Sequence, residues 1–271
     1  MIVAAALCAS PPLLHPALTG RAAVLPELRS ACAEAVARLL REEPEVIVVV
    51  GPAAVTGEWD AAGRLDAAAF APGAAVPGPA VSGLVVSAPA VSDSGVSGRT
   101  VSGSAATGVA GMLPLSLGLG AMLLDQGQYR GLRRLFAVGP DAPAGACAAL
   151  GAELAAGGTR TALLVMGDGS ARRSLKAPGH LDPRAEPFDA DVEQAVRAGR
   201  LSALLELDEA LARDLMVTGR PAWQVLAGAM PDEAGPDGTR VDGALMTEVL
   251  YCDDPFGVAY LVACLSPRRR L

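Results

Sequence analysis

The sequence predicts an α/β protein with a mostly parallel central sheet, flanked by helices and closed by a C-terminal hairpin. Three observations lead there. Residues 2–8 and 46–50 are unbroken apolar runs ended by Ser-Pro-Pro and Gly-Pro, the pattern of strands buried on both faces. Between them, residues 26–42 place Leu28, Cys32, Val36 and Leu39 or Leu40 at helical spacing behind Pro26, a residue suited to the first turn of a helix. Further along, strand-like and helix-like stretches keep alternating, as the βα repeat of a parallel sheet requires.

Taken in order, the first strand, helix and second strand make a βαβ unit. From 61 to 111 the composition shifts to Ala, Gly, Pro, Ser and Val, with Val-Ser-Gly recurring at 81, 96 and 101. This stretch reads as irregular strands and loops, or as a low-complexity insertion, inside one domain spanning 1–271. Regular structure resumes with a helix over 114–126, a strand near 134–139, a helix over 142–156 and a strand over 161–166. A polar loop, 169–187, precedes three helical patterns at 187–199, 201–219 and 221–230. The charged turn 231–238 leads into strand-like runs at 241–251 and 256–265, with Asp-Asp-Pro-Phe-Gly as the turn signal between them.

Composition narrows the functional classes. The 271 residues are 51% hydrophobic but only 3% aromatic, so the core is built from Ala, Val and Leu, and stacking platforms for single-stranded nucleic acid are absent. The net charge is −7 and the single lysine is Lys176, which leaves no electrostatic footprint for DNA or RNA. Five cysteines are scattered without a Cys-x-x-Cys pair, the usage of reduced cytosolic thiols. The apolar opening run lacks a basic flank and is too short to span a bilayer. The expectation is a cytoplasmic protein without a membrane segment.

Chemistry in an open α/β sheet gathers at the carboxyl ends of the strands. Three such ends stand out: Cys-Ala-Ser-Pro at 8–11, Gly-Pro-Ala-Ala at 51–54 and Gly-Asp-Gly-Ser at 167–170. The last continues into GDGSARRSLK, where glycines admit backbone amides to an anion and Arg172, Arg173 and Lys176 supply charge for phosphate or carboxylate. The same segment also reads as a turn whose Asp168 caps a backbone amide while the arginines lie in solvent. It is neither a P-loop nor a dinucleotide fingerprint, since Arg172 occupies the last glycine position. No Gly-x-Ser-x-Gly elbow occurs, and of the two histidines, His15 and His180, the second is the candidate acid/base. Two distant histidines without a cysteine cluster give no zinc or iron pattern.

The strand ends, in order, resemble the class III extradiol ring-cleavage dioxygenase superfamily, with its LigB-like and Memo-like members, and in particular an actinobacterial branch of LigB-like proteins. MIVAAALCASPPLL resembles that family's opening strand and PHPPLL-type motif, and IVVVGPAAVTG the second strand ending in GP(S/N)H. MGDGSARR is similar to the SDxSH segment and GRPAWQVLAGAM to the ExxxW helix. The resemblance spans most of the chain outside 61–111 and implies the same α/β fold. It also implies Fe(II) held by two histidines and a carboxylate, a further histidine as acid/base, and possible homo-oligomers. Carried over, those positions hold Ser10, Ala54, Gly219 and Ala171, none of which can serve.

The resulting expectation is a cleft with no metal and no cofactor, lined by Ser10, Gly51, Asp168, Gly169, Ser170, Arg172, Arg173, Lys176 and His180, for a small anionic or aromatic molecule. Two alternatives stand beside it. One is an enzyme of another class acting on a phosphorylated or carboxylated compound through GDGSARRSLK, with Asp168 or His180 as acid/base. The other is an active dioxygenase whose iron site is rebuilt from Cys8, Asp168 or Glu248.

Overall fold

A computed structural model describes residues 1–19, 24–65, 111–232 and 245–268. β1 (Ile2–Cys8) leads through a 3-10 turn at Pro12–Leu14 and the one-turn α1 (Pro16–Thr19) to α2 (Pro26–Arg41). β2 (Val46–Pro52), β3 (Gly57–Trp59) and β4 (Arg64–Leu65) follow, then β5 (Met112–Leu113), α3 (Leu115–Gln126), β6 (Leu132–Val138), α4 (Ala144–Ala155) and β7 (Thr161–Met166). The helices α5 (Ala185–Arg197), α6 (Ser202–Leu205), α7 (Glu209–Asp214) and α8 (Arg220–Ala229) precede β8 (Leu245–Asp253) and β9 (Tyr260–Pro267).

The fold is α/β, around a seven-stranded sheet in the order β3-β6-β2-β7-β1-β9-β8. β6, β2, β7 and β1 run parallel, while β3 is antiparallel to β6, β9 to β1 and β8 to β9. Alternation along the strands feeds two cores. Ala5, Leu7, Val48, Val50, Leu163 and Val165 face α4, α5 and α8, and Ala6, Cys8, Ile47, Val49, Leu164 and Met166 face α2 and α3. α2 keeps Leu28, Cys32, Val36 and Leu39 on its buried side, with Glu27 in its first turn and Arg38 and Arg41 in its last, each charge placed to suit the helix dipole.

Three expectations change in detail. The pattern at 201–219 splits into α6 and α7, because Asp208 accepts from the amides of Ala210 and Leu211 and caps a new helix. The second C-terminal strand begins at Tyr260 rather than at 256, since Gly257 takes a left-handed φ of 72° in the turn. The helix expected over 142–156 starts at Ala144, behind Pro143 as its cap residue. Of the 61–111 reading, 66–110 lies outside the described residues, as do 233–244 of the charged turn and strand start. No helix among the described residues is long and apolar enough to cross a membrane.

Candidate functional site

The candidate site lies where β1, β2 and β7 end side by side. β7 continues beyond Met166 as an extended segment bonded on both flanks. On one side the Gly167 amide donates to the Cys8 carbonyl, Gly169 to Ala259 and Arg173 to Gly257, at 2.8 to 3.0 Å. On the other, Gly219 donates to the Asp168 carbonyl at 2.9 Å and Ala171 to Leu215 at 3.0 Å. Glycine at 167 and 169 is a spatial requirement. A Cβ on Gly167 would lie 2.5 Å from the Gly219 Cα, and one on Gly169 2.8 Å from Ala259 and from the Asp189 carboxylate.

Asp168 is the centre of this edge. Its Oδ1 accepts from the Ser10 amide at 2.7 Å, its Oδ2 lies 3.5 Å from the Ser10 hydroxyl, and its own amide donates to Thr218 Oγ1 at 3.2 Å. Burial pushes the Asp168 carboxyl up to about 6, against the opposing pull of the Ser10 hydrogen bonds. Tyr260, itself buried, is raised by burial and by the nearby Asp168 charge. Ser10 and Gly219, 209 positions apart in the chain, therefore meet on one residue, Ser10 at the Asp168 carboxylate and Gly219 at its backbone carbonyl.

The other predicted residues divide. Ser170 is fully buried, and Asp189 of α5 holds it through its amide at 2.9 Å and its hydroxyl at 2.5 Å. Its hydroxyl is turned inward to Asp189 rather than presented to a ligand. Arg173 is committed to Asp254 at 2.7 Å, with Asp189 at 3.9 Å, so its charge is neutralised inside the protein. Arg172 packs against Gly179 and leaves its Nε buried without a hydrogen-bond partner. Lys176 and His180 are exposed on the loop, where His180 Nδ1 meets the Leu175 carbonyl at 2.9 Å and its backbone takes a φ of 60°. His180 is thus held by its own loop. Gly51 faces α3: a Cβ there would lie 2.6 Å from Ser116 Oγ, which donates to the Pro52 carbonyl at 2.7 Å.

The positions carried over from the ring-cleavage family do not fit an iron ion. Ser10 offers a hydroxyl turned to Asp168, Ala171 a buried methyl, and Ala54 a methyl on the exposed turn after β2. At Gly219 the space a side chain would use is filled by the Trp223 indole, whose buried Nε1 has no hydrogen-bond partner. The residues considered for a rebuilt site are dispersed. Cys8 is buried with its thiol against Cys32, which raises it far above the usual range, and Glu248 pairs with Arg38 at 2.5 Å on the α2 side of the sheet. Among the described residues no group of three or more His, Cys, Asp or Glu is placed to hold a metal.

Sequence reasoning missed Asp189, Asp254, Thr218 and Tyr260, and met Trp223 only as the tryptophan of the ExxxW-like segment. Of the four, Asp254, in the Asp-Asp-Pro-Phe-Gly turn, carried a local signal, and that signal was for a turn. No protein-family model matches the chain, and no curated protein matches it. Among solved structures it is similar to one described as the uncharacterized protein JW3007 from Escherichia coli K12, at 16% identity and a TM-score of 0.49 over 97% of this chain and 99% of that one.

Proposed function

We propose that this chain is a LigB-like relative of the class III extradiol dioxygenases that lacks the iron site and ring-cleavage chemistry and keeps its strand-end cleft for a small anionic ligand. The observation that carries the reading is the meeting of Ser10, Asp168 and Gly219 at one point of the sheet edge. Segments singled out by separate motifs converge there, and the side chains they bring are a hydroxyl, a carboxylate and a hydrogen. With Arg173 engaged, the charge available to an anion narrows to Arg172 and Lys176 on the loop beside the cleft.

The test is metal content by mass spectrometry after anaerobic purification, Fe(II) loading and removal of excess metal. The expected result is iron well below one equivalent, together with binding of a small carboxylate or phosphate that falls in the Arg172→Ala and Lys176→Ala variants. A full equivalent of iron would overturn the proposal in favour of a rebuilt dioxygenase site. A second reading is favoured by the Asp168 carboxyl, which at about 6 titrates near neutrality as a general acid or base must. That reading requires turnover of a phosphorylated or carboxylated compound that disappears in Asp168→Asn.

A further inference from the structure

Four of the eight large apolar side chains that are exposed among the described residues belong to segments that meet at one corner of the molecule. Leu175 is 68% exposed, Leu181 47%, Met216 43% and Phe256 48%. Close contacts join their segments. The His180 ring meets the Leu175 carbonyl at 2.9 Å and folds the 175–181 loop on itself. A Cβ on Gly179 of that loop would lie 2.7 Å from Met216 Sδ, and one on Gly257, beside Phe256, 2.5 Å from Ser174 Oγ and 2.6 Å from the Ala177 methyl. Single exposed apolar side chains are ordinary on a protein surface, whereas a group of them side by side marks a contact.

Met216 carries a second, independent sign. It follows α7, its amide donates to the Arg213 carbonyl at 3.0 Å, the Val217 amide donates to Ala212 at 2.8 Å, and its φ is 59°. Glycine usually ends a helix in this left-handed conformation, because a Cβ is crowded there. A methionine bears that strain, and in the single chain its exposed side chain offsets only part of it by burial. The charges around the apolar group are mixed. Lys176, the only lysine of the chain, and Asp253 are both exposed, and among the described residues neither forms an ion pair. Lys176 belongs to the 174–177 segment that touches Gly257, and Asp253 begins the turn that the Gly257 amide closes on Asp254. A surface of one sign needs an oppositely charged partner, but one that carries both can close on a second copy about a twofold axis, each lysine facing the other's aspartate.

We infer that this corner is the interface of a twofold homodimer, with Met216 and Phe256 of each copy against the apolar group of the other and Lys176 of each on Asp253 of the second copy. The three donors of a lysine ammonium leave room for the anion of the strand-end site as well. Sedimentation velocity of the full chain, without ligand and up to about 100 μM, should give twice the single-chain mass, since an interface with a micromolar Kd is nearly full there. Met216→Gly removes the side chain and suits the left-handed backbone, so it should keep or raise the thermal midpoint while weakening the dimer about tenfold. Phe256→Ala, at an exposed position, should weaken the dimer by a similar factor. Lys176→Asp and Asp253→Lys should each weaken it several-fold, and the two exchanges together should restore it. A single-chain mass at every concentration would overturn the proposal, as would a dimer that Met216→Gly and Phe256→Ala leave unchanged. A double exchange no tighter than either single one would overturn the twofold pairing of Lys176 with Asp253. Mass is read without ligand, so none of these outcomes depends on the strand-end site.

Discussion

At the scale of single residues, polar groups in the GDGSARRSLK segment are spent largely inside the protein. Ser170 and Arg173 look from the sequence like ligand groups, yet the first is held by Asp189 and the second by Asp254. Their effect is to tie the segment after β7 to α5 and to the β8–β9 turn. Ser170→Ala should therefore cost about 1–3 kcal/mol of stability, the penalty for leaving a buried carboxylate oxygen without its donor. Urea denaturation measures it, and an unchanged midpoint would mean that Asp189 finds another partner. The carboxylates that complete these pairs were not legible, because Asp189 and Asp254 lie 19 and 81 positions from their partners, and sequence spacing carries no record of such distances.

At the scale of elements, periodicity identified most helices and strands because each buries a continuous apolar face. How closely they approach was not legible. α4 and α8 meet through Gly151 and Gly228: a Cβ on Gly151 would collide with the Val225 carbonyl and the Ala229 amide, and one on Gly228 with the Ala148 carbonyl. The obstacles are backbone atoms, which have no rotamer to yield. Gly151→Ala should destabilise by about 1–3 kcal/mol as the helices are forced apart. Gly145→Ala, on the same helix where a Cβ meets nothing within 4 Å, should instead be neutral or stabilise by up to about 1 kcal/mol through helix propensity. Thermal melts of the two variants side by side separate packing from propensity.

At the scale of the whole molecule, stability should depend on pH through the enclosed carboxyls of Asp168 and Asp189. Burial raises both above the ordinary carboxylate value, Asp168 to about 6, so between the unfolded and folded values the native state binds more protons than the unfolded one. The stabilisation from this source is fully present below about pH 4 and is lost as pH rises through about 6, against the trend of the exposed ion-paired acids. Asp168→Asn keeps an acceptor for the Ser10 amide and removes the proton. Its urea midpoint, relative to the unmodified protein, should therefore improve from pH 4.5 to pH 7.5. A difference that does not vary with pH would show that Asp168 titrates near its ordinary value in the fold.

The sequence by itself indicated the class of fold, since runs such as Val46–Val50 fit strands covered on both faces and Leu28, Cys32, Val36 and Leu39 or Leu40 fit one side of a helix, and β2 and α2 form there. It also determined which side chains are available, and with two histidines in the chain it limited what metal chemistry Ser10, Ala54, Ala171 and Gly219 could leave behind. Tertiary structure alone decided which polar groups meet. Strand order places β1 beside β7, bringing Ser10 onto Asp168. It also decided that Arg173 is neutralised by Asp254. Pairing between distant charges depends on the path of the whole backbone, whereas periodic burial is written locally, every second or every third to fourth residue.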